Sequence, residues 1–379
     1  MSEARINRIS NELGTGGPVV SGITTFSGLN YFVPPSGTTA QRPSNCPAGS
    51  IRFNTDSAHL EYFNGISWLD FEAFNVEVGI STNAAGTSGG LGNRGLFAGG
   101  SGIPGSSTIQ YLTISTLGNS LNFGTLTAGR RWSSACASST RGVWGGGETG
   151  PSGTLDYVTI SSTGNATSFG SLSVSRGNTG SCSSNIRGIW AGGGPGTVNT
   201  IDYVTIASTG NAVAFGDLTN ACSYSNGLAS STRGVFNLGI ISPLAVNVMN
   251  YITIASTGNA IRFGDLTLSR FADGSCSNSI RGLFGGGYLA PTGNSNVIDY
   301  ITIASTGNAV SFGQLSVSRG ALAAVSSSTR GVFGGGISPT FTSTTDFVAI
   351  SSTGNASSFG SLLSGDAYMG ACSNGHGGL

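Results

Sequence analysis

One short motif dominates this chain. An Arg-Gly pair, two apolar residues and a small, mostly glycine tail occur six times. They read RGLFAGG from Arg94, RGVWGGG from Arg141, RGIWAGG from Arg187, RGVFNLG from Arg233, RGLFGGG from Arg281 and RGVFGGG from Arg330. The intervals are 47, 46, 46, 48 and 49 residues. A fixed period of this length restricts the chain to a solenoid, a propeller or an array, and it outranks any local reading. Read alone, RGVWGGG suggests a phosphate-binding loop. Such a loop needs a following helix and an attendant lysine, whereas all sixteen basic residues here are arginine and no helical spacing follows.

Each unit continues alike. A variable stretch leads to YLTI, DYVTI, DYVTI, NYITI, DYITI and DFVAI, with Asp156, Asp202, Asp299 and Asp346 at one shared position. A polar STGN-type turn follows, then an FG-x-L segment from Phe123, Phe169, Phe215, Phe263, Phe312 and Phe359. Every piece is four to seven residues, rich in β-branched and aromatic side chains and bounded by Gly, Asn and Ser, so each reads as a strand. The unit then holds four strands in the order a (GSCSS-like), b (RGVWGGG-like), c (DYVTI-like) and d (ATSFGSL-like). The Gly-Asn pair between c and d predicts a tight hairpin with a positive φ. Six such units predict an all-β fold, a six-bladed β-propeller over residues 80–379. Residues 367–373 align with strand a and are expected to complete the first blade, in place of Ala84–Gly90.

A strand ending in Gly-Gly, an aromatic-bearing strand, an aromatic on strand d and an arginine before the next unit resemble kelch repeats. The resemblance covers roughly residues 80–379. Phe169 and its equivalents stand where kelch units usually carry Trp. The resemblance implies a kelch-like propeller.

Residues 1–35 are polar and turn-rich and read as an extended arm; residues 36–79 form a small β-rich region. Three apolar-patterned strands are expected within GSIRFNTDSAHLEYFNGISWLDF, residues 49–71, with Asn64-Gly65 as a hairpin turn. So small a meander buries little surface by itself, which marks Phe53, Leu60, Tyr62, Phe63 and Trp68 as candidate attachment or oligomerisation residues. The segment Gly49–Thr55, with Leu60–Gly65 and Trp68, resembles a stretch of phage tail-fibre and virion structural proteins. The repeats are similar to those of cyanophage virion proteins. Together these resemblances imply a virion protein anchored through its N-terminal region, with the propeller displayed outward as a tail fibre or adhesin. Its partners would be other virion proteins, copies of itself in a homo-oligomer such as a trimer, and a host-surface glycan or protein. A capsid decoration, a baseplate or neck fibre, and a stand-alone kelch-like lectin or scaffold are the alternatives.

The chemistry the chain offers is sparse. Its two histidines, His59 and His376, lie far apart in sequence, which leaves a histidine-based triad or multi-histidine metal site to coincidence. Aspartates recurring at one position are expected to be structural, so neither enzyme activity, a metal nor a cofactor is anticipated. Zero net charge without basic clusters argues against nucleic acid. The N-terminus lacks the apolar core of a signal peptide, and no run of about 18 apolar residues exists. Folding in a host cytoplasm and no membrane insertion are therefore expected, with the virion as destination. Cys136, Cys182, Cys276 and Cys372 share one place in strand a and are expected to be free, buried thiols. The Arg141-type residues are expected to hold carbonyls or carboxylates of the a–b turn.

Strand direction alternates, so b–c and d–a loops share one face. These loops vary between units while the framework holds still, and binding residues concentrate on such loops. Arg130, Arg176, Arg270 and Arg319, at the start of the d–a connections, together with Leu244, Tyr288 and Phe341 on b–c loops, are the candidate receptor-binding residues.

Overall fold

The computed structural model describes residues 34–57, 59–70, 93–101, 105–148 and 153–379. The chain divides into two compact units, residues 1–86 and 87–379. The expected arm, residues 1–33 of it, and the rejected strand Ala84–Gly90 lie outside the described residues.

The larger unit is all-β and consistent with a β-propeller. Among the described residues it contains six four-stranded antiparallel sheets. The second runs a Ser134–Ala137, b Arg141–Gly145, c Thr154–Thr159, d Thr167–Ser171. The third runs Gly180–Ser183, Arg187–Ala191, Val198–Thr205, Val213–Cys222, and the fourth Asn226–Ala229, Arg233–Asn237, Val248–Thr253, Ile261–Asp265. The fifth runs Gly274–Ser277, Arg281–Gly285, Val297–Thr302, Val310–Gln314, and the sixth Ala323–Ser326, Arg330–Gly334, Thr344–Ala349, Ser357–Ser361. The first draws on both ends of the unit: Met369–Ser373 pairs with Arg94–Gly99, Cys372 opposite Leu96, and Thr108–Thr113 and Leu121–Thr125 follow.

Cores form between neighbouring sheets. Leu96 and Cys372 of the first sheet pack with Ala135, Trp144 and Val158 of the second. The strand-b aromatics Phe97, Trp144, Trp190, Phe236, Phe284 and Phe333 are fully buried, each contributing about 1.5–3 kcal/mol of transfer free energy. The strand-d phenylalanines meet the strand-c aromatics edge-on, as in Tyr157–Phe169 at 5.8 Å, a favoured ring geometry. The glycine after each motif arginine makes the close packing possible. A Cβ on Gly188 would lie 2.3 Å from Cys136 Sγ, and one on Gly142 would lie 2.9 Å from Cys372 Sγ. The shared cysteine site in strand a therefore packs on the glycine of the following sheet, which explains why it accepts Leu228 or Val325 but nothing polar. The tail glycines act differently: Gly146 and Gly147 turn the chain at φ 71° and 131°, where side chains are rarely tolerated.

The motif arginines do bind carbonyls, but those of the next sheet and not of their own a–b turn. Arg94 donates to Ile160 and Ser161 O, Arg141 to Ile206 and Ala207 O, and so on to Arg330, which donates to Ile114 and Ser115 O of the first sheet. Each guanidinium also stacks on a strand-c ring, as Arg141 does over Tyr157 at 4.7 Å.

Strands c and d do pair as antiparallel hairpins, but the Gly-Asn segment is not a tight turn: in the second sheet the innermost pair is Tyr157 opposite Thr167. Gly118, Gly258 and Gly307 sit at φ 157–159°, close to extended and not in a left-handed turn. The segment instead lies along strand d of the preceding sheet: Gly164 N–H bonds Phe123 O, Ala166 N–H bonds Thr125 O, and Asn165 Oδ1 accepts from Thr125 N. The outermost strand is thus partly satisfied, a common way of protecting a sheet edge.

The smaller unit has the three expected antiparallel strands, Ile51–Asn54, His59–Phe63 and Trp68–Asp70, plus a short parallel strand, Ser36–Gly37, that the sequence pattern does not announce. Its most deeply buried side chains are polar. Glu61 is fully buried, bonded by Arg42 at 2.6 Å and by Asn54, with Arg52 at 3.3 Å; these cations hold its carboxyl below the usual range. On the other face, Ile51 and Leu69 are exposed, while Phe53, Leu60 and Tyr62 are half-buried.

Candidate functional site

The arginines expected on the binding face are not available to a partner. Arg130, Arg176, Arg270 and Arg319 are at most 2% exposed. They bind Asp156, Asp202, Asp299 and Asp346 at 2.6, 3.1, 3.1 and 3.0 Å. In each sheet a register shift between strands c and d falls at the aspartate position, and bulges of this kind re-aim a side chain. A hydroxyl completes each carboxylate: Thr127, Ser173, Thr267 or Ser316, at 2.6–2.7 Å. Burial lowers the pKa of Arg130, Arg176 and Arg319, with the carboxylates partly opposing it. These groups fasten each d–a connection to the sheet it enters.

Cys222 and Asp366 hold the corresponding positions in the fourth and first sheets. Two residues beyond each of these six positions, the chain borders one cavity lined by strand a of all six sheets, which marks the axis of the unit. Trp132, Asn178, Tyr224, Ala272, Ala321 and Tyr368 occupy equivalent places, and all six have a left-handed φ of 51–65°. Backbone bonds connect them: Trp132 N–H to Tyr368 O, Asn178 to Trp132 O, Ala272 to Tyr224 O, Ala321 to Ala272 O and Tyr368 to Ala321 O, at 2.8–3.4 Å. Three of the six carry large rings that meet over the centre. Trp132 lies 4.3 Å from Tyr368 and 4.8 Å from Tyr224, centroid to centroid. Contacts continue from Tyr224 to Phe271 and Tyr288, and from Tyr368 to Phe341.

Beneath these rings lies the cavity, of about 90 Å³. Its wall includes Ser133, Thr179, Ser225, Asn226 and Asp273. Ser133 and Asn178 are 6% and 7% exposed, and Ser133 Oγ and Asn178 Oδ1 have no protein hydrogen-bond partner, which is uncommon for buried polar atoms. At the rim Asn178 Nδ2 donates to Glu148 at 2.6 Å, and Arg131 lies 3.6 Å from the same carboxylate. Asp273 accepts from Asn237 at 2.8 Å and from Asn226; burial raises its pKa, with Arg270 opposing.

Of the expected contact residues, Tyr288 and Phe341 join the aromatic rim. Leu244 is 68% exposed at the tip of a separate hairpin, Ile240–Ile241 with Leu244–Ala245. Trp132, Tyr224 and Tyr368 went unnoticed in the sequence, although a signal existed: the second residue after each Arg130-type position reads W, N, Y, A, A, Y within a steady frame. At the other end of the same axis a second lining includes Ser183, Ser277, Ser326, Ser373 and His376. There His376 Nε2 contacts Ala137 O at 2.9 Å while its Nδ1 accepts from Gly378 N–H at 3.0 Å.

All six cysteines are free; five are buried and Cys46 is partly exposed. Burial pushes the Cys222 and Cys276 thiols up to about 12 and raises those of Cys136, Cys182 and Cys372 as well. Among the described residues no His/Cys/Asp/Glu group is arranged to hold a metal, and no helix is long and apolar enough to cross a membrane. No protein-family model and no curated protein matches the chain.

Proposed function

We propose that residues 87–379 form a closed, six-bladed propeller that serves as a non-enzymatic display and binding module of a phage particle, of tail-fibre or adhesin type. The N-terminal unit is its means of attachment. Closure is supported by interactions that pass from the sixth sheet back to the first, namely Arg330 on Ile114 and Ser115 and the axial backbone bonds through Tyr368. The observation that carries the binding role is the separation of repeated from unrepeated residues. Charged groups that recur are consumed within the framework, the Arg130-type arginines in buried pairs and the Arg141-type arginines on carbonyls of the next sheet, while the rings that do not recur gather at one mouth, beside the variable loops. Attachment is supported by the resemblance of residues 49–68 to tail-fibre segments and by the small sheet, where Ile51, Leu69 and Ile66 (90% exposed) leave apolar surface for another chain.

The test is the composition of purified particles. The protein should be detected by mass spectrometry in density-banded virions, and antibodies to the repeat unit should label their exterior. Absence from intact particles would overturn the display role. Light scattering on the full chain should report an oligomer.

A further inference from the structure

The axial mouth has a composition that the framework does not require. Asn178, Ala272 and Ala321 show that a small residue satisfies the left-handed position, and Asn is the better suited non-glycine type. Trp and Tyr at the same φ hold a sparsely populated and unfavourable conformation. Backbone outliers of this sort gather at functional sites. Resting on the display reading above, we infer that this mouth is a carbohydrate site that takes a neutral pyranose, with its ring on Trp132 and Tyr368 and an exocyclic arm in the cavity.

Three features select that chemistry. The half-buried faces of Trp132, Tyr224 and Tyr368 suit the C–H faces of a sugar, and aromatic side chains with polar tips serve interfaces that are apolar on one side and wet on the other. The cavity below is polar, so an aliphatic ligand would strand its hydroxyls; a hydroxymethyl or acetamido group would instead supply the partners that Ser133 Oγ and Asn178 Oδ1 lack. At about 90 Å³ the space has room for more than one water and hence for such an arm. The rim charges are also matched, Arg131 against Glu148 at 3.6 Å, which favours an uncharged sugar over a sialic or uronic acid.

The experiment is saturation-transfer NMR on the full chain with the methyl glycosides of glucose, galactose, mannose and N-acetylglucosamine, followed by titration on tryptophan fluorescence. At least one glycoside should bind, with transfer strongest at the exocyclic protons. Trp132→Asn, which installs the residue found at the equivalent position 178, should weaken binding tenfold or more and leave the melting temperature nearly unchanged. If that variant does not fold, Tyr224→Ala, which copies the equivalent Ala272, replaces it. No binding by any of the four glycosides, or unchanged binding in the variant, overturns the site. Neither result bears on whether the protein is in the particle, so failure of this site and failure of the display reading are told apart.

Discussion

Two of the six sheets differ from the other four at one buried position. In the second, third, fifth and sixth an arginine of the incoming connection meets an aspartate of strand c. In the fourth, Cys222 stands for the arginine and Asn250 for the aspartate. In the first, Asp366 and Gln110 take the two places, and each finds other partners: Asp366 accepts from Ser101 and Ala367 N–H, and Gln110 Oε1 from Ser120 and Leu363. Asn250 keeps the contact with Thr219 that its aspartate counterparts make with Thr127 or Ser173. The chain therefore keeps the ion pair or loses both of its members. The reason is the cost of an uncompensated charge in a site that is at most 7% exposed; the one lone carboxylate there, Asp366, is met by two backbone N–H groups, and burial raises its pKa.

The sharpest way to break this comparison is to make one half of the change. Arg176→Cys alone leaves Asp202 buried without its cation and should cost about 3–5 kcal/mol in urea unfolding. Adding Asp202→Asn copies the fourth sheet and should recover most of that loss, to within about 1.5 kcal/mol of the parent, since a buried pair is worth little beyond a neutral replacement. A double variant as unstable as the single one would show that the pairing is incidental. Cys222→Ala, at the neutral counterpart, should cost only about 1 kcal/mol or a little more.

A smaller effect sharpens a second contrast, between glycines that turn the chain and glycines that admit a neighbour. Gly188 lies outside the left-handed region, so Gly188→Ala meets no backbone penalty, yet its Cβ falls on Cys136 Sγ. Overpacking should cost about 1–3 kcal/mol, and Cys136→Ala should relieve part of it. A Gly188→Ala variant as stable as the parent would break the proposed fit between strand-a cysteine and strand-b glycine.

These positions also show how much the sequence disclosed. The repeat made the four-strand unit and the pairing of residues 369–373 with Arg94–Gly99 legible, because β periodicity and period length are local properties. The linkage of Arg176 to Asp202 was equally present, as a correlated change in two of six units, but it spans 26 residues and appears only when unit is compared with unit. The Gly-Asn segment misled only about the turn: c and d pair as expected, but the segment that fits a tight turn lies along strand d of another sheet. Arginines beside variable loops looked exposed for a similar reason, since burial depends on the sheet the connection enters. The aromatic mouth was hidden by distance: Trp132, Tyr224 and Tyr368 become neighbours only around the axis.

The smallest expected effect compares the two ends of that axis, where the aromatic mouth carries no histidine and the other end carries His376. Its ring is half-buried, and Gly378 N–H points at Nδ1, so the folded state holds the neutral tautomer with its proton on Nε2 toward Ala137 O. A second proton would oppose that amide, and burial lowers the pKa below its ordinary 6.5. The unfolded chain therefore binds more protons than the folded one as pH falls through 6.5. The contribution is fully present above that pH and is lost progressively from there down to the depressed folded value. Asp273 and Asp366, whose carboxyls burial raises, act in the opposite sense: their protonation relieves the folded state as pH falls. The useful quantity is then the difference between parent and His376→Asn. On moving from pH 7.5 to 5.5 the parent should lose more melting temperature than the variant, and equal losses would mean that the imidazole titrates freely at this end of the axis.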